Sequence, residues 1–223
     1  MIYILLIAVM LLSMYAQSKV QRTFQKYTND YAICGMTAAQ VADEMLRHNG
    51  QQIPIHQVSG TLTDHFDPAN NTVGLSTEVY GSTSVSALAV AAHEIGHVLQ
   101  YQEAYQPIKV RNSILPVAQF SSSLAPIIVI AGLFFSSYKL SMAGVILFGA
   151  VLLFQLVTLP VELNASKRGL AMLQQGGYLT GEQQNEAKEV LNAAAMTYFW
   201  ATVSALLSFL RLLSIANSTR RRN

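Results

Sequence analysis

Four long apolar stretches decide most of what this chain can become. A helix needs roughly 20 predominantly apolar residues to cross a bilayer, and Met1 to Ala16, Ile114 to Phe135, Leu140 to Val161 and Ala193 to Leu210 approach or meet that length. Only 12% of the 223 residues are charged, which excludes an ordinary soluble surface and favours membrane residence. The third stretch is the cleanest. The second carries Gln119 and the Ser121, Ser122, Ser123 run, and the fourth is interrupted after Leu210 by Arg211.

The first stretch has no lysine or arginine ahead of it, so it reads as an uncleaved anchor although Ala16-Gln17-Ser18 loosely resembles a cleavage site. Lys19, Arg22 and Lys26 follow it, and positive charge beside a span tends to stay in the cytoplasm. Between the second and third stretches stand only Ser136, Ser137, Tyr138 and Lys139, enough for a tight helical hairpin that returns the chain to its starting side. Segments 17–113 and 162–192 then share a compartment, and Lys109, Arg111, Lys167 and Arg168 mark it as the cytoplasm. The Arg220, Arg221, Arg222 tail argues the other way if the fourth stretch crosses, so whether 193–216 spans stays open. Cys34 is the only cysteine, so no intrachain disulfide forms. A net charge of +2 with no basic run except the tail, and no phosphate-binding loop, points away from nucleic acid.

Between the spans the pattern is α+β. Thr37 and Gln40 have the spacing of a helix-capping box, and Gly50 sits where a helix over 38–49 stops. "IPIHQVSG" and "LTDHFDPANNTVGLS" read as short strands around a turn at Pro68, Asn70 and Asn71, with a strand over 72–76. A helix then runs from the serines before Val85 to about Tyr105. A second soluble helix is expected to begin at Val161, and a third at Thr180-Gly181-Glu182-Gln183, feeding into the fourth apolar stretch.

The chemistry lies in "AVAAHEIGHVLQ", residues 89–100. His93 and His97 are one helical turn apart and can direct both imidazoles at one ion. Glu94 lies about 100° round the helix, within reach of a metal-activated water whose proton it would take. The plain alternative is a satisfied polar cluster in the core. Against it, two histidines and a glutamate among Ala91, Ala92, Ile95 and Val98 are costly to bury without a shared partner. Gly96 also keeps the helix surface low, as a close neighbour requires.

A third ligand must come from elsewhere. In the H-E-x-x-H-x-x-G-x-x-H pattern a glycine turns the chain so that a third histidine folds back. Here those positions hold Gln100 and Glu103, so the helix continues and Glu103 points away. His65 suits a place opposite the metal, steadying an oxyanion, a role open to Tyr178 as well. Glu162 is the strongest candidate, because it opens "ELNASKRG" where the third stretch re-enters the compartment of His93. Ser166, one turn on, can hydrogen-bond the outer nitrogen of a histidine.

"LTDHFDP", "VGLS" with the later "VY", "SVSALAVAAHEIGHVLQ", "LPVELNAS" and "LNAAAMTY", in that order along nearly the whole chain, resemble the YugP-type neutral zinc metallopeptidases, membrane proteins of bacteria. The resemblance implies a gluzincin-like site holding one zinc ion, with His93, His97 and Glu162 as ligands and Glu94 as base. It also suggests kinship with HtpX-type membrane proteases, in which an aspartate follows the third-ligand glutamate by four residues; here that place is Ser166.

The expected protein is thus a mostly helical α+β membrane protein with a zincin-like part. The segments are an anchor over 1–17, the zincin-like part over 18–113, a transmembrane hairpin over 114–161, the third-ligand region over 162–192, an apolar helix over 193–216 and a basic tail over 217–223. The expected activity is zinc-dependent endopeptidase cleavage of membrane-associated or misfolded proteins, at a cytoplasm-facing site in the bacterial plasma membrane. A substrate strand is expected to pair with the Val73, Gly74, Leu75 edge. Two rivals are a non-catalytic zinc-stabilised scaffold and a site-2-type intramembrane protease.

Overall fold

A computed structural model describes residues 2–220, so Arg221 and Arg222 of the basic tail lie outside the described residues. The elements are α1 (Ile2–Lys26), α2 (Ala38–His48), β1 (Ile55–Val58), β2 (His65–Asp67), β3 (Thr72–Ser76), α3 (Thr77–Tyr80), α4 (Val85–Gln102), α5 (Gln106–Phe134), α6 (Tyr138–Gln175) and α7 (Gly181–Arg220). The protein is α+β and mostly helical, and α1, α5, α6 and α7 are each long and apolar enough to cross a membrane.

The chain divides into two compact units. One comprises Met1–Tyr15, Gln106–Val161 and Thr197–Asn223. Within it α5 and α6 pack through small residues: a side chain on Gly132 would strike Ser141, and one on Gly144 would meet the Ala125 carbonyl at 2.8 Å. Close backbone approach of this kind replaces the hydrophobic drive that lipid cannot supply. Arg211, the charge inside the fourth apolar stretch, lies 5.0 Å from the centroid of the Tyr3 ring, where cation and π-face attract.

The other unit comprises Ala16–Tyr105 and Glu162–Met196. Its core joins Val41, Met45 and Leu46 of α2, Val73 and Leu75 of β3, Leu88, Ile95 and Val98 of α4, and Leu173 of α6. The capping box of α2 is formed: Gln40 N–H donates to Thr37 Oγ1 at 3.3 Å, and Thr37 N–H to Gln40 Oε1 at 2.9 Å. The turn after β2 is built by Asp67, whose Oδ1 accepts from Ala69 N–H at 2.8 Å. α4 stops at Gln102, short of Tyr105, because Ala104 adopts a left-handed φ of 53° and Tyr105 N–H donates back to the Gln100 carbonyl at 2.9 Å.

Two expectations change. β3 is not an edge. The sheet order is β1-β3-β2, with β1 parallel to β3 and β2 antiparallel to it. Val73, Gly74 and Leu75 therefore have strands on both sides, and no incoming strand can pair there. Gly74 offers no open approach either, because a Cβ there would lie 2.8 Å from the His65 ring. Nor does a new helix begin at Val161: α6 passes unbroken through Pro160 to Gln175. Proline removes one hydrogen bond from a helix, and here the 38-residue helix continues past it.

Candidate metal centre

Ser84 caps the start of α4, its hydroxyl accepting from Ala87 N–H at 3.2 Å, and the good helix formers Ala87, Leu88, Ala89, Ala91 and Ala92 precede the histidine pair. Both imidazoles leave one face of α4, their Nε2 atoms 3.1 Å apart. Glu162 of α6 meets them from another segment of the chain: its Oε2 lies 3.3 Å from His93 Nε2 and 3.4 Å from His97 Nε2. The Glu162 side chain is only 4% exposed, and the histidines 15% and 12%.

Two glycines bring Glu162 there. At Gly96 a Cβ would lie 3.0 Å from the Ala165 carbonyl carbon and closer still to its oxygen. At Gly169 one would lie 2.7 Å from the Ala92 carbonyl oxygen. Ala92 and Gly96 on α4 thus cross Ala165 and Gly169 on α6 backbone to backbone, and Glu162, one turn before Ala165, reaches the histidines.

Each imidazole is held from behind. His93 Nδ1 is 3.1 Å from Ser166 Oγ, and His97 Nδ1 is 3.0 Å from Gln100 Oε1. Burial alone would lower the proton affinity of His97, but the neighbouring carboxylates of Glu162 and Glu94 outweigh it and raise that affinity. Glu94 is 8% exposed. Among the described residues its carboxylate takes no hydrogen bond or ion pair.

Two imidazole nitrogens and a carboxylate are the donors that zinc accepts. Bonds of about 2.0–2.1 Å to a tetrahedral ion separate neighbouring donors by roughly 3.3 Å, and the three separations here are 3.1, 3.3 and 3.4 Å. His93, His97 and Glu162 therefore fit one face of a zinc tetrahedron. Among the described residues no other histidine, cysteine or carboxylate completes the group.

The comparisons with known proteins point to the same metal. The family described as "Putative neutral zinc metallopeptidase" matches residues 2–217. The chain belongs to this family. One relative of this metallopeptidase, "Putative membrane protease YugP" from Bacillus subtilis (strain 168), is 42% identical over 225 residues, covering 100% of both chains. No solved structure matches the metallopeptidase. Its cofactor is zinc, for which the His93, His97, Glu162 group is the fitting site.

The remaining expected residues lie elsewhere. His65 lies on the sheet face opposite the buried Val73 and Leu75, with Nδ1 donating to the Thr63 carbonyl at 2.8 Å. Along β2 it alternates with Phe66, whose ring meets that of Tyr101 of α4 at 5.8 Å. Tyr178 packs beside α2, where burial and then the Glu44 carboxylate push its phenol up to about 12. Glu103 is drawn off by Arg168, at 2.7 Å, which holds its carboxyl below the usual range. Gln100, read from sequence only as a residue that lets the helix continue, is fully buried against His97. Its i, i+3 spacing from His97 was the available signal.

Proposed function

We propose that this metallopeptidase is a membrane-embedded, cytoplasm-facing endopeptidase of gluzincin type, cleaving membrane-associated or misfolded proteins. His93, His97 and Glu162 are the metal ligands and Glu94 is the general base. The observation that supports this most directly is the convergence of Glu162 on two histidines one turn apart, beside the buried Glu94 carboxylate. Zinc, when bound, supplies Lewis acidity at the scissile carbonyl. Glu94 takes a proton from the attacking water as the new carbon–oxygen bond forms. It passes that proton to the nitrogen as the carbon–nitrogen bond breaks, and the second water proton follows, leaving a carboxylate and a protonated amine.

The strand that receives substrate is β2. It is an edge strand beside α4, and its outer side has no strand partner among the described residues. An extended peptide added there is held main chain to main chain, with little demand on its sequence. Phe66 of β2 and Tyr101 of α4, 5.8 Å apart edge to face, offer an apolar wall one turn beyond His97.

The rivals fare worse. A structural zinc site closes four protein ligands, against three here. A site-2-type protease embeds its zinc helix, whereas α4 is not among the four helices long and apolar enough to cross. The name of the Bacillus subtilis relative, a membrane protease, agrees with the proposed setting. The test is the Glu94→Gln variant of the full chain in detergent. It should retain one zinc per chain and lose cleavage of an unfolded protein substrate; cleavage at the wild-type rate removes Glu94 as base.

A further inference from the structure

His97 is anchored by a hydrogen-bonded chain that ends on a permanent charge. Gln100 Oε1 faces His97 Nδ1 at 3.0 Å, and Gln100 Nε2 donates to Asn164 Oδ1 at 2.9 Å. Arg168 Nε donates to the same Asn164 oxygen at 2.8 Å. The Arg168 guanidinium is itself held by Glu103 at 2.7 Å and lies 5.9 Å from the centroid of the Tyr105 ring.

The polarity of this chain is forced from its far end. Arginine donates only and does not deprotonate in proteins, so Asn164 must turn its oxygen, not its amide nitrogen, toward Arg168. That oxygen also faces Gln100, which must therefore present its NH2 group there and its own oxygen to His97. An oxygen acceptor at Nδ1 requires Nδ1 to carry the hydrogen. The lone pair then lies on Nε2, toward His93 and Glu162. Ser166 exerts no such control on His93, because a hydroxyl both donates and accepts.

We propose that Arg168, Asn164 and Gln100 are positioning residues that set the tautomer of His97 and keep its Nε2 ready for the metal. This rests on the metallopeptidase reading of the site and adds its outer support. Groups hydrogen-bonded behind metal ligands tune affinity, and this chain spans from the C-terminal end of α4 to α6, binding the two elements that carry the ligands.

The experiment measures zinc affinity of the full chain in detergent by competition with a chromophoric chelator, alongside the visible spectrum of the cobalt-substituted protein. Asn164→Leu breaks the chain and should weaken zinc binding by about 10–100-fold, with an altered cobalt spectrum. Asn164→Asp keeps an oxygen for both donors and should restore wild-type affinity and spectrum. Wild-type affinity in Asn164→Leu overturns the proposal, as does an Asn164→Asp variant as weak as the leucine variant. A wild-type chain that binds no zinc overturns the metal centre itself, and this inference with it.

Discussion

Gly96 and Gly169 are where single atoms matter most. At both positions the obstacle is a backbone of the facing helix, which cannot swing aside as a flexible side chain would. Gly96→Ala should force α4 and α6 apart, at about 1–3 kcal/mol for overpacking of this kind, and withdraw Glu162 from the histidines. The expected readout is a lowered thermal midpoint together with lost zinc stoichiometry. Gly81→Ala, with nothing within 4 Å of the added carbon, should change neither. The low surface at Gly96 and the carboxylate at Glu162 were both legible in the sequence, since each rests on local spacing and on where an apolar run ends. For Gln100 only the i, i+3 spacing from His97 was legible; its meeting with Asn164, 64 residues away, has no local pattern to encode it.

At the scale of elements, the strands and the histidine-bearing helix could be read from the chain but their order could not. The 72–76 strand follows from its β-branched residues and the turn before it from Pro68, Asn70 and Asn71. The return of β1 alongside β3 in parallel leaves no such mark, and it alone converts β3 from an edge into the centre of the sheet. Under the proposed function, β2 is then the strand that pairs with substrate. A cleavable peptide N-methylated at a residue whose N–H points to β2 should lose most of its kcat/KM, while methylation at the next residue, whose N–H points away, should leave it nearly intact. Equal losses at both places would remove the strand-pairing account. The continuity of α6 past Pro160 also escaped the sequence, where proline after an apolar run reads as a boundary.

For the whole molecule, zinc should act as a staple. Its ligands come from the 16–105 segment and from the 162–196 segment of one unit, so chelation should lower the melting temperature and added zinc restore it. A ligand free at 1,000 times its Kd contributes about 4 kcal/mol; a midpoint unmoved by chelation of a zinc-loaded sample would refute the staple. Orientation is open to the sole cysteine. Cys34, partly exposed in the loop after α1, should react with an impermeant maleimide only when the cytoplasmic face is presented. In a Cys34→Ser background, Ser137→Cys at the hairpin turn should react only from the opposite face.

The 56 residues that separate the two halves of that unit, Gln106–Val161, impose an order of events during synthesis. A chain emerging from the ribosome carries its histidine pair long before the acid that completes their grip, and that acid arrives only once both limbs of the intervening hairpin have been made. Under the proposed function, activity therefore waits until the 106–161 segment has been made and the two parts of the unit have met.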